Sequence, residues 1–179
     1  MRKDSFSSKL LFAIGDVSKD LLVVGGKMIF DPHELMRGTS LYRDSRFKNG
    51  MCGLERYGFI GKKKIDGKKV FYLTEKGKNA IIKKILLNKG RGKDWDGKWR
   101  SIIFDIPELS RKDRDFLRRE LQFIGFEELQ KSVWVFPYDF ERELNTLLKS
   151  WKVEFKGDIR FLTIEKMNDD DLKERFNLD

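Results

Sequence analysis

The sequence predicts an α+β protein of two small domains, one rich in helices and one that alternates strands with helices. Apolar residues at helical spacing dominate the first part of the chain, which closes with a lysine-rich hairpin pattern. From residue 99 onwards the pattern runs strand, helix, strand, strand, helix, strand. Charge follows the same division, because residues 1–96 hold 22 basic and 11 acidic residues whereas residues 97–179 hold 16 and 18. This asymmetry indicates a polyanionic partner for the first part only.

Amphipathic helices are predicted at the start of the chain. Leu10, Ile14 and Leu21 recur at helical spacing and predict a helix from about Ser7 to Val24. Asp31 is expected to cap a short helix, because the proline that follows it suits a first helical position.

A third helix is predicted to begin after a cap at Asp44 or Ser45 and to run to about Tyr57. Gly50 and Gly53 lower its intrinsic helix propensity, so this helix must depend on tertiary packing. Its inward side is expected to carry Phe47, Met51 and Leu54.

A hairpin and a fourth helix follow. The strands Phe59–Lys64 and Lys69–Leu73 flank Asp66-Gly67, a strong two-residue turn signal. Thr74 is expected to cap a helix that ends near Leu87. Three helices, a basic hairpin and a fourth helix, in this order, are typical of a helix-turn-helix domain in which the hairpin is the wing. We therefore expect a winged-helix domain over residues 1–87 and a glycine- and charge-rich linker over residues 88–97.

The third helix and the hairpin are the predicted surface for double-stranded DNA. A helix fits the major groove, where arginine pairs with guanine and asparagine with adenine, and lysines on a wing suit phosphates. The alternative is a protein-binding winged helix whose lysines are only solvated. The residues predicted to contact DNA are Arg43, Arg46, Lys48, Asn49, Arg56, Lys62, Lys63, Lys64, Lys68 and Lys69.

The second domain is predicted over residues 98–179. Its first strand is Trp99–Ile106, which a proline stops. Ser110 and Asp113 have the spacing of a capping box, and Gly125 ends the helix that follows them. The order of elements is ferredoxin-like βαββαβ. The remaining elements are expected to be a strand at Ser132–Pro137, a helix capped by Asp139, a strand at Ile159–Met167 and a last short helix capped within residues 168–171.

Several unusual runs in this region carry a family resemblance. FDIPE, an arginine- and lysine-rich helix, then LQKSVWV and PY occur in order between Trp99 and about Met167. Together they resemble the central domain of the PaaX-type transcriptional regulators. That domain is in turn similar to the second CRISPR-associated protein, a small ferredoxin-like nuclease. Residues 1–90 resemble the winged-helix domain that precedes it in these regulators.

Asp105 is the candidate catalytic and metal-binding residue. On a strand it shares a face with Ser101 and Ile103. One carboxylate is not a Mg²⁺ site, but the resemblance to the CRISPR-associated nuclease implies that Asp105 pairs with its twin across a homodimer and promotes phosphodiester hydrolysis. The alternative is a structural acid that caps the next turn or pairs with Arg118.

A homodimer and a cytoplasmic, nucleoid-associated location are also expected. The sheet of a lone ferredoxin-like unit leaves one face uncovered, with Trp99 and Ile103 on it, and a second copy would bury that face. Cys52 is the single cysteine, so it fits a reducing compartment, and a small buried residue is its expected role. One cysteine and one histidine do not make a zinc site. No apolar run approaches the ~20 residues that span a bilayer, so no membrane partner is expected.

The sequence therefore predicts a PaaX-like transcriptional regulator that binds duplex DNA, dimerises and requires no cofactor. The alternative is a Mg²⁺-dependent endonuclease that uses paired Asp105 residues, so whether the chain is an enzyme stays open. A third possibility is a protein–protein adaptor within a larger nucleic-acid complex. The small-molecule effector is left open, because the sequence has no phosphate-cradling glycine loop.

Overall fold

The computed structural model describes residues 5–17, 29–40, 42, 45–89, 94–151 and 156–178. The chain divides into two compact units, Met1–Ile82 and Lys83–Asp179, and the described residues of each form one antiparallel sheet. The α+β class is confirmed, whereas the predicted domain limits and the linker at 88–97 remain predictions. Among the described helices, none is both long and apolar enough to cross a membrane.

The first unit combines helices with a three-stranded sheet of order β1-β3-β2. Both strand pairings are antiparallel. The last helix of the series extends past residue 82 into the second unit. The described elements are α1 (Phe6–Val17), β1 (Ile29–Phe30), α2 (Pro32–Leu35), α3 (Phe47–Arg56), β2 (Ile60–Ile65), β3 (Lys68–Leu73) and α4 (Glu75–Leu87).

Two glycines let α3 pack closely against α1. A methyl group on Gly50 would lie 2.8 Å from the Phe6 ring, and one on Gly53 would lie 2.6 Å from the Ser7 hydroxyl. That hydroxyl donates to the Gly50 carbonyl at 3.3 Å. The expectation that α3 depends on tertiary packing is confirmed, and its predicted inward residues are all buried.

Local signals account for some helix starts of the first unit but not for all. Asp31 caps α2 by accepting from the His33 amide at 2.8 Å, and Thr74 accepts from Gly77 N–H at 3.1 Å, as predicted. The Ser45 cap is wrong, because Arg46 takes the cap position of α3 and forms no side-chain cap hydrogen bond. The Asp44 cap and the predicted extension of α1 to Val24 lie outside the described residues.

The β2–β3 hairpin turns over two residues, as predicted. Asp66 and Gly67 both have positive φ angles, 49° and 75°, which is the type I′ geometry that matches the strand twist. The strands extend one residue further towards the turn than expected, so that Ile65 pairs with Lys68.

The second unit follows the predicted βαββαβ order and ends with the predicted short helix. Its sheet has the order β5-β6-β4-β7, with antiparallel pairing throughout. The described elements are β4 (Trp99–Asp105), a 3₁₀ turn (Glu108–Ser110), α5 (Arg111–Ile124), β5 (Glu127–Gln130), β6 (Val133–Phe136), α6 (Glu141–Ser150), β7 (Asp158–Ile164) and α7 (Asp170–Phe176).

The last helix covers part of the sheet face that was expected to stay open. Trp99 is only 1% exposed, because it packs with Val135 and Leu172 and against the Phe176 ring of α7. Its indole N–H donates to Asp169 Oδ2 at 2.6 Å. The expectation of an uncovered Trp99 is therefore wrong.

The capping box before α5 is also wrong. Ser110 forms no side-chain cap hydrogen bond, because the 3₁₀ turn leads directly into the helix. The predicted stop is confirmed, since Gly125 adopts φ 103° at the end of α5. Asp139 accepts from the Glu141 amide at 3.2 Å, although the cap position itself belongs to Phe140.

Candidate nucleic-acid interface

The outward side of α3 presents polar residues at helical spacing. Burial of the opposite side against α1 fixes which residues point outwards. Lys48, Asn49 and Arg56, all predicted to contact DNA, are exposed on it. Cys52 lies between them at spacings of three and four residues and is also exposed, so the expectation of a buried cysteine is wrong. The sequence contains the signal for this exposed position. Cys52 lies three residues after Asn49 and four residues before Arg56, so these residues share one side of a helix.

Arg46 precedes α3 and has a defined orientation. Its guanidinium lies 4.9 Å from the centre of the Phe6 ring, within the range of a cation–π interaction. The side chain is nevertheless exposed and stands beside Lys48 and Asn49 at the start of the helix. Arg43, the remaining predicted contact before α3, lies outside the described residues.

An ion pair links the hairpin to α3. Lys62 contacts Glu55 Oε1 at 2.6 Å, with both side chains partly exposed. Sequence reasoning missed Glu55, because nothing in its local pattern reveals a partner seven residues away on another element. The pair holds the base of β2 beside the outward side of α3, so these two predicted contact regions form one surface in the first unit.

The outer half of the hairpin concentrates positive charge. Lys64 lies directly across from Lys69, an arrangement that destabilises a strand pair. Lys69 also contacts the Phe71 ring, with 5.5 Å between its ammonium and the ring centre. Lys63, Lys64 and Lys68 are exposed, and within the described part of the chain none forms an ion pair. Stability of the hairpin does not explain this charge.

Asp105 lies in the second unit, at the end of β4, and its side chain is exposed. It lines an open groove of about 890 Å³. The predicted pairing with Arg118 is wrong, because Arg118 instead donates to the Lys131 carbonyl at 2.7 Å and contacts Asp115 at 3.4 Å. The basic residues of the groove are Arg111, Arg114, Arg118 and Lys131.

The arginines of this groove come from one side of α5. Arg114 pairs with Glu108 at 2.6 Å, and this hydrogen bond lowers the pKa of the Glu108 carboxyl below its usual value. The spacing of three and four residues along α5 was visible in the sequence, and Arg118 was named there as a possible partner of Asp105. The nearness of Arg111 and Arg114 to Asp105 was not predicted. Acidic and basic groups are equally numerous in the lining, so the groove itself is close to neutral.

A Mg²⁺ ion, implied by the nuclease resemblance, would find two carboxylates here. Asp105 faces Asp158 across the β4–β7 pair, and Asp158 already contacts Arg160 at 2.9 Å. Within the described ranges, no three Cys, His, Asp or Glu side chains are grouped to hold a metal. One copy therefore supplies too few ligands for a closed site, and further carboxylates or substrate phosphates would have to complete it.

The sheet order, the final helix and the exposed Asp105 define the second unit as an α+β domain with an acid at the end of its first strand. Residues 92–174 match the family model described as the PaaX protein central Cas2-like domain. The match supports a PaaX-type protein whose central domain resembles Cas2, as the sequence motifs predict. No curated protein matches the chain.

Proposed function

We propose that the chain is a PaaX-like transcriptional regulator. Its first unit acts as a winged helix that binds double-stranded DNA, and its ferredoxin-like second unit forms the homodimer. One observation carries the DNA-binding proposal: the exposed polar side of α3 lies beside a hairpin whose outer lysines lack acidic partners among the described residues. The match to a PaaX family domain is consistent with this function.

In this proposal α3 enters the major groove. Asn49 is the candidate for adenine, and Arg46 and Arg56 are candidates for guanine or for phosphates. Arg43 is kept as a predicted contact from the sequence alone. The hairpin contacts phosphates, which position the protein without reading sequence. The lysines assigned to this role are Lys62, Lys63, Lys64, Lys68 and Lys69.

Fluorescence anisotropy on an end-labelled duplex, in EDTA and across a salt series, tests DNA binding. Six to eight phosphate contacts give a log–log slope of about −5 to −7. Replacing the run Lys62–Lys64 by alanines should weaken binding to every duplex and flatten this slope by about 3. The matched control removes the same charge from exposed lysines of the second unit: Lys112, Lys149 and Lys166.

The outcomes separate three cases. Equal loss in the control triple variant would mean that net charge alone governs binding. Unchanged affinity in the hairpin variant would show the wing assignment to be incorrect. Weak binding with little salt dependence in the wild type would favour the protein–protein adaptor instead.

Dimerisation has its own test. Leu162 is 44% exposed and pairs with Ser101 of β4, so it lies on the same face of the sheet as Ile103. The α7 helix covers only part of this face. Leu162→Lys should raise the dimer dissociation constant in sedimentation equilibrium, because it places a charge in the buried contact. Leu109→Lys is the control, since Leu109 is fully exposed in the 3₁₀ turn, outside the sheet. Equal dimerisation of both variants would move the interface elsewhere.

A Mg²⁺-dependent nuclease is the second candidate function. The observation that favours it is the position of Asp105 in a groove with several arginines, which can hold phosphates. Addition of Mg²⁺ or Mn²⁺ to the DNA complex, followed by a denaturing gel, tests it. A regulator leaves the label intact, whereas cleavage that disappears in Asp105→Asn would make the nuclease the preferred function.

A further inference from the structure

The sheet of the first unit has an outer face that points away from the core. Leu73 pairs with Ile60, and both side chains are buried. Strand alternation therefore places Tyr72 and the residues that pair with it on the opposite face of the sheet. Ile29 and Tyr72 pair there and are 42% and 37% exposed, so the centre of this face is apolar and accessible. The outer face consists of Ile29, Gly61, Lys63, Ile65, Lys68, Val70 and Tyr72.

Gly61 lets the Tyr72 ring lie across the sheet. The two residues pair, and a methyl group on this glycine would overlap the end of the ring. A tyrosine offers a large contact area and loses little conformational entropy when a partner packs against it. Tyr72 is therefore suited to contact a partner.

A cavity of about 460 Å³ opens beside this ring, entirely within the first unit. Its apolar walls are Ile29, Tyr72 and Leu73. Cavities of this size accept compact apolar groups, so an aromatic or branched aliphatic side chain of a partner can enter it. The polar lining residues are Lys62, Lys63, Thr74, Glu75 and Lys78.

The ion pairs around the cavity leave one lysine for a partner. Lys78 pairs with Glu75 at 3.0 Å, and Lys62 pairs with Glu55 at 2.6 Å. Lys63 is exposed and forms no ion pair within the described ranges of the chain. The cavity therefore has an available positive charge at its edge.

The charge continues along the outer face towards the hairpin turn. Lys68 pairs with Ile65 at the end of the hairpin and is exposed. Asp66 is also exposed at this turn and offsets one of the two lysine charges. Lys63, Lys68 and Asp66 together leave a surplus of one positive charge beside the apolar centre.

These features distinguish between possible occupants. Two copies of the outer face would bring the same positive charges together, which opposes self-association. DNA phosphates have no use for the apolar side chains of Ile29 and Tyr72. A polypeptide segment with an apolar anchor and neighbouring carboxylates matches the cavity and the lysines at once.

We propose that the outer face docks an acidic peptide segment of a partner protein, with an apolar side chain in the cavity beside Tyr72 and carboxylates at Lys63 and Lys68. This inference goes beyond the proposed function and does not require that the first unit binds DNA. The two lysines also belong to the proposed phosphate contacts, so a docked segment would compete with DNA for them.

Selection from a library of random dodecapeptides displayed on phage, against the immobilised full chain, tests the inference. The enriched peptides should carry a large apolar residue with aspartate or glutamate beside it. Fluorescence anisotropy of a labelled peptide from this selection then measures its affinity for variants of the chain, and the same variants are titrated with duplex DNA in parallel.

Two pairs of variants locate the peptide. Tyr72→Ser should weaken peptide binding at least about tenfold, the effect of losing a central anchor contact. Tyr57→Ser is the matched control, because Tyr57 is 43% exposed in the same unit but does not line the cavity. Lys63→Gln should weaken peptide binding about threefold, whereas Lys64→Gln, on the opposite face, should not. Gly61→Ala displaces the ring without removing it and should also weaken peptide binding.

The contrary outcomes are specific. Enriched peptides without acidic residues, or equal effects of Tyr72→Ser and Tyr57→Ser, overturn the inference. Absence of any enriched peptide also overturns it, and weaker DNA binding or weaker dimerisation of Tyr72→Ser would then assign the outer face to DNA or to a second copy. Peptide docking without DNA binding would refute the proposed function and leave this inference intact.

Discussion

Gly50→Ala and Gly53→Ala, which each add a methyl group to α3, should have opposite effects on the stability of the first unit. Alanine gains about 1 kcal/mol over glycine within a helix. At Gly50 the new methyl group would meet the Phe6 ring at 2.8 Å and a Leu10 methyl at 3.1 Å. Relief of such overpacking costs about 1–3 kcal/mol. The net expectation for Gly50→Ala is a loss of about 1 kcal/mol.

The close contact at Gly53 differs in kind. Among the described residues beyond α3 itself, only the Ser7 side chain lies within 4 Å of the added methyl group. Its hydroxyl can rotate away at the cost of one weak hydrogen bond. That loss is about 0.5 kcal/mol, less than the propensity gain. Gly53→Ala is therefore expected to stabilise the unit by about 0.5 kcal/mol.

Thermal unfolding followed by far-ultraviolet circular dichroism measures both changes. For a unit of this size, 1 kcal/mol corresponds to about 4–8 °C in Tm. Gly50→Ala should thus unfold several degrees below the wild type and Gly53→Ala slightly above it. If Gly50→Ala matches or exceeds the wild type, α3 does not pack against α1 as described, and the side of α3 assigned to DNA would have to be reassigned.

Three further predictions concern single side chains. Glu55→Gln should raise affinity for any duplex in the anisotropy assay, because it releases Lys62 and removes a negative charge beside the DNA surface; equal or weaker binding would contradict this. Iodoacetamide should alkylate Cys52 more slowly when DNA is bound, as followed by mass spectrometry, and an unchanged rate would place DNA elsewhere. The Trp99 hydrogen bond lowers the pKa of Asp169 below its usual value. Its contribution to stability is therefore present above the unfolded-state pKa and is lost as the pH falls through the lower folded-state pKa. Asp169→Asn should remove this acid dependence from urea unfolding of the chain, and an unaltered pH profile would refute the role of the carboxylate.

Features set by neighbouring residues were predictable from the sequence. The hairpin turn follows from Asp66-Gly67, where two positive φ angles are required, and the end of α5 follows from Gly125. The start of α2 follows from Asp31 and the proline after it. In each case the preference of the backbone and the tertiary fold agree, so a short window of sequence is sufficient.

Features set by distant residues were not predictable. The predicted Ser110 cap was wrong because a 3₁₀ turn lies at that position. The predicted open sheet face was wrong because α7 covers Trp99, whose hydrogen-bond partner Asp169 lies seventy residues later in the chain. The sequence indicated an acid at the end of a strand, Asp105, and offered Arg118 as its partner, but it did not indicate the other arginines of the groove. The DNA sequence that the proposed α3 surface would select depends on contacts with a partner, so the chain alone does not specify it.

Burial of Trp99 has an optical consequence. The four tryptophans of the chain are residues 95, 99, 134 and 151, and all belong to the second unit. Trp95 and Trp99 have ring centres 5.0 Å apart, so displacement of α7 would change their environment together. Tryptophan fluorescence therefore reports on the second unit alone, because the first unit contains no tryptophan. A change in this emission when DNA is added would show that the second unit responds to DNA, either by direct contact or through the first unit.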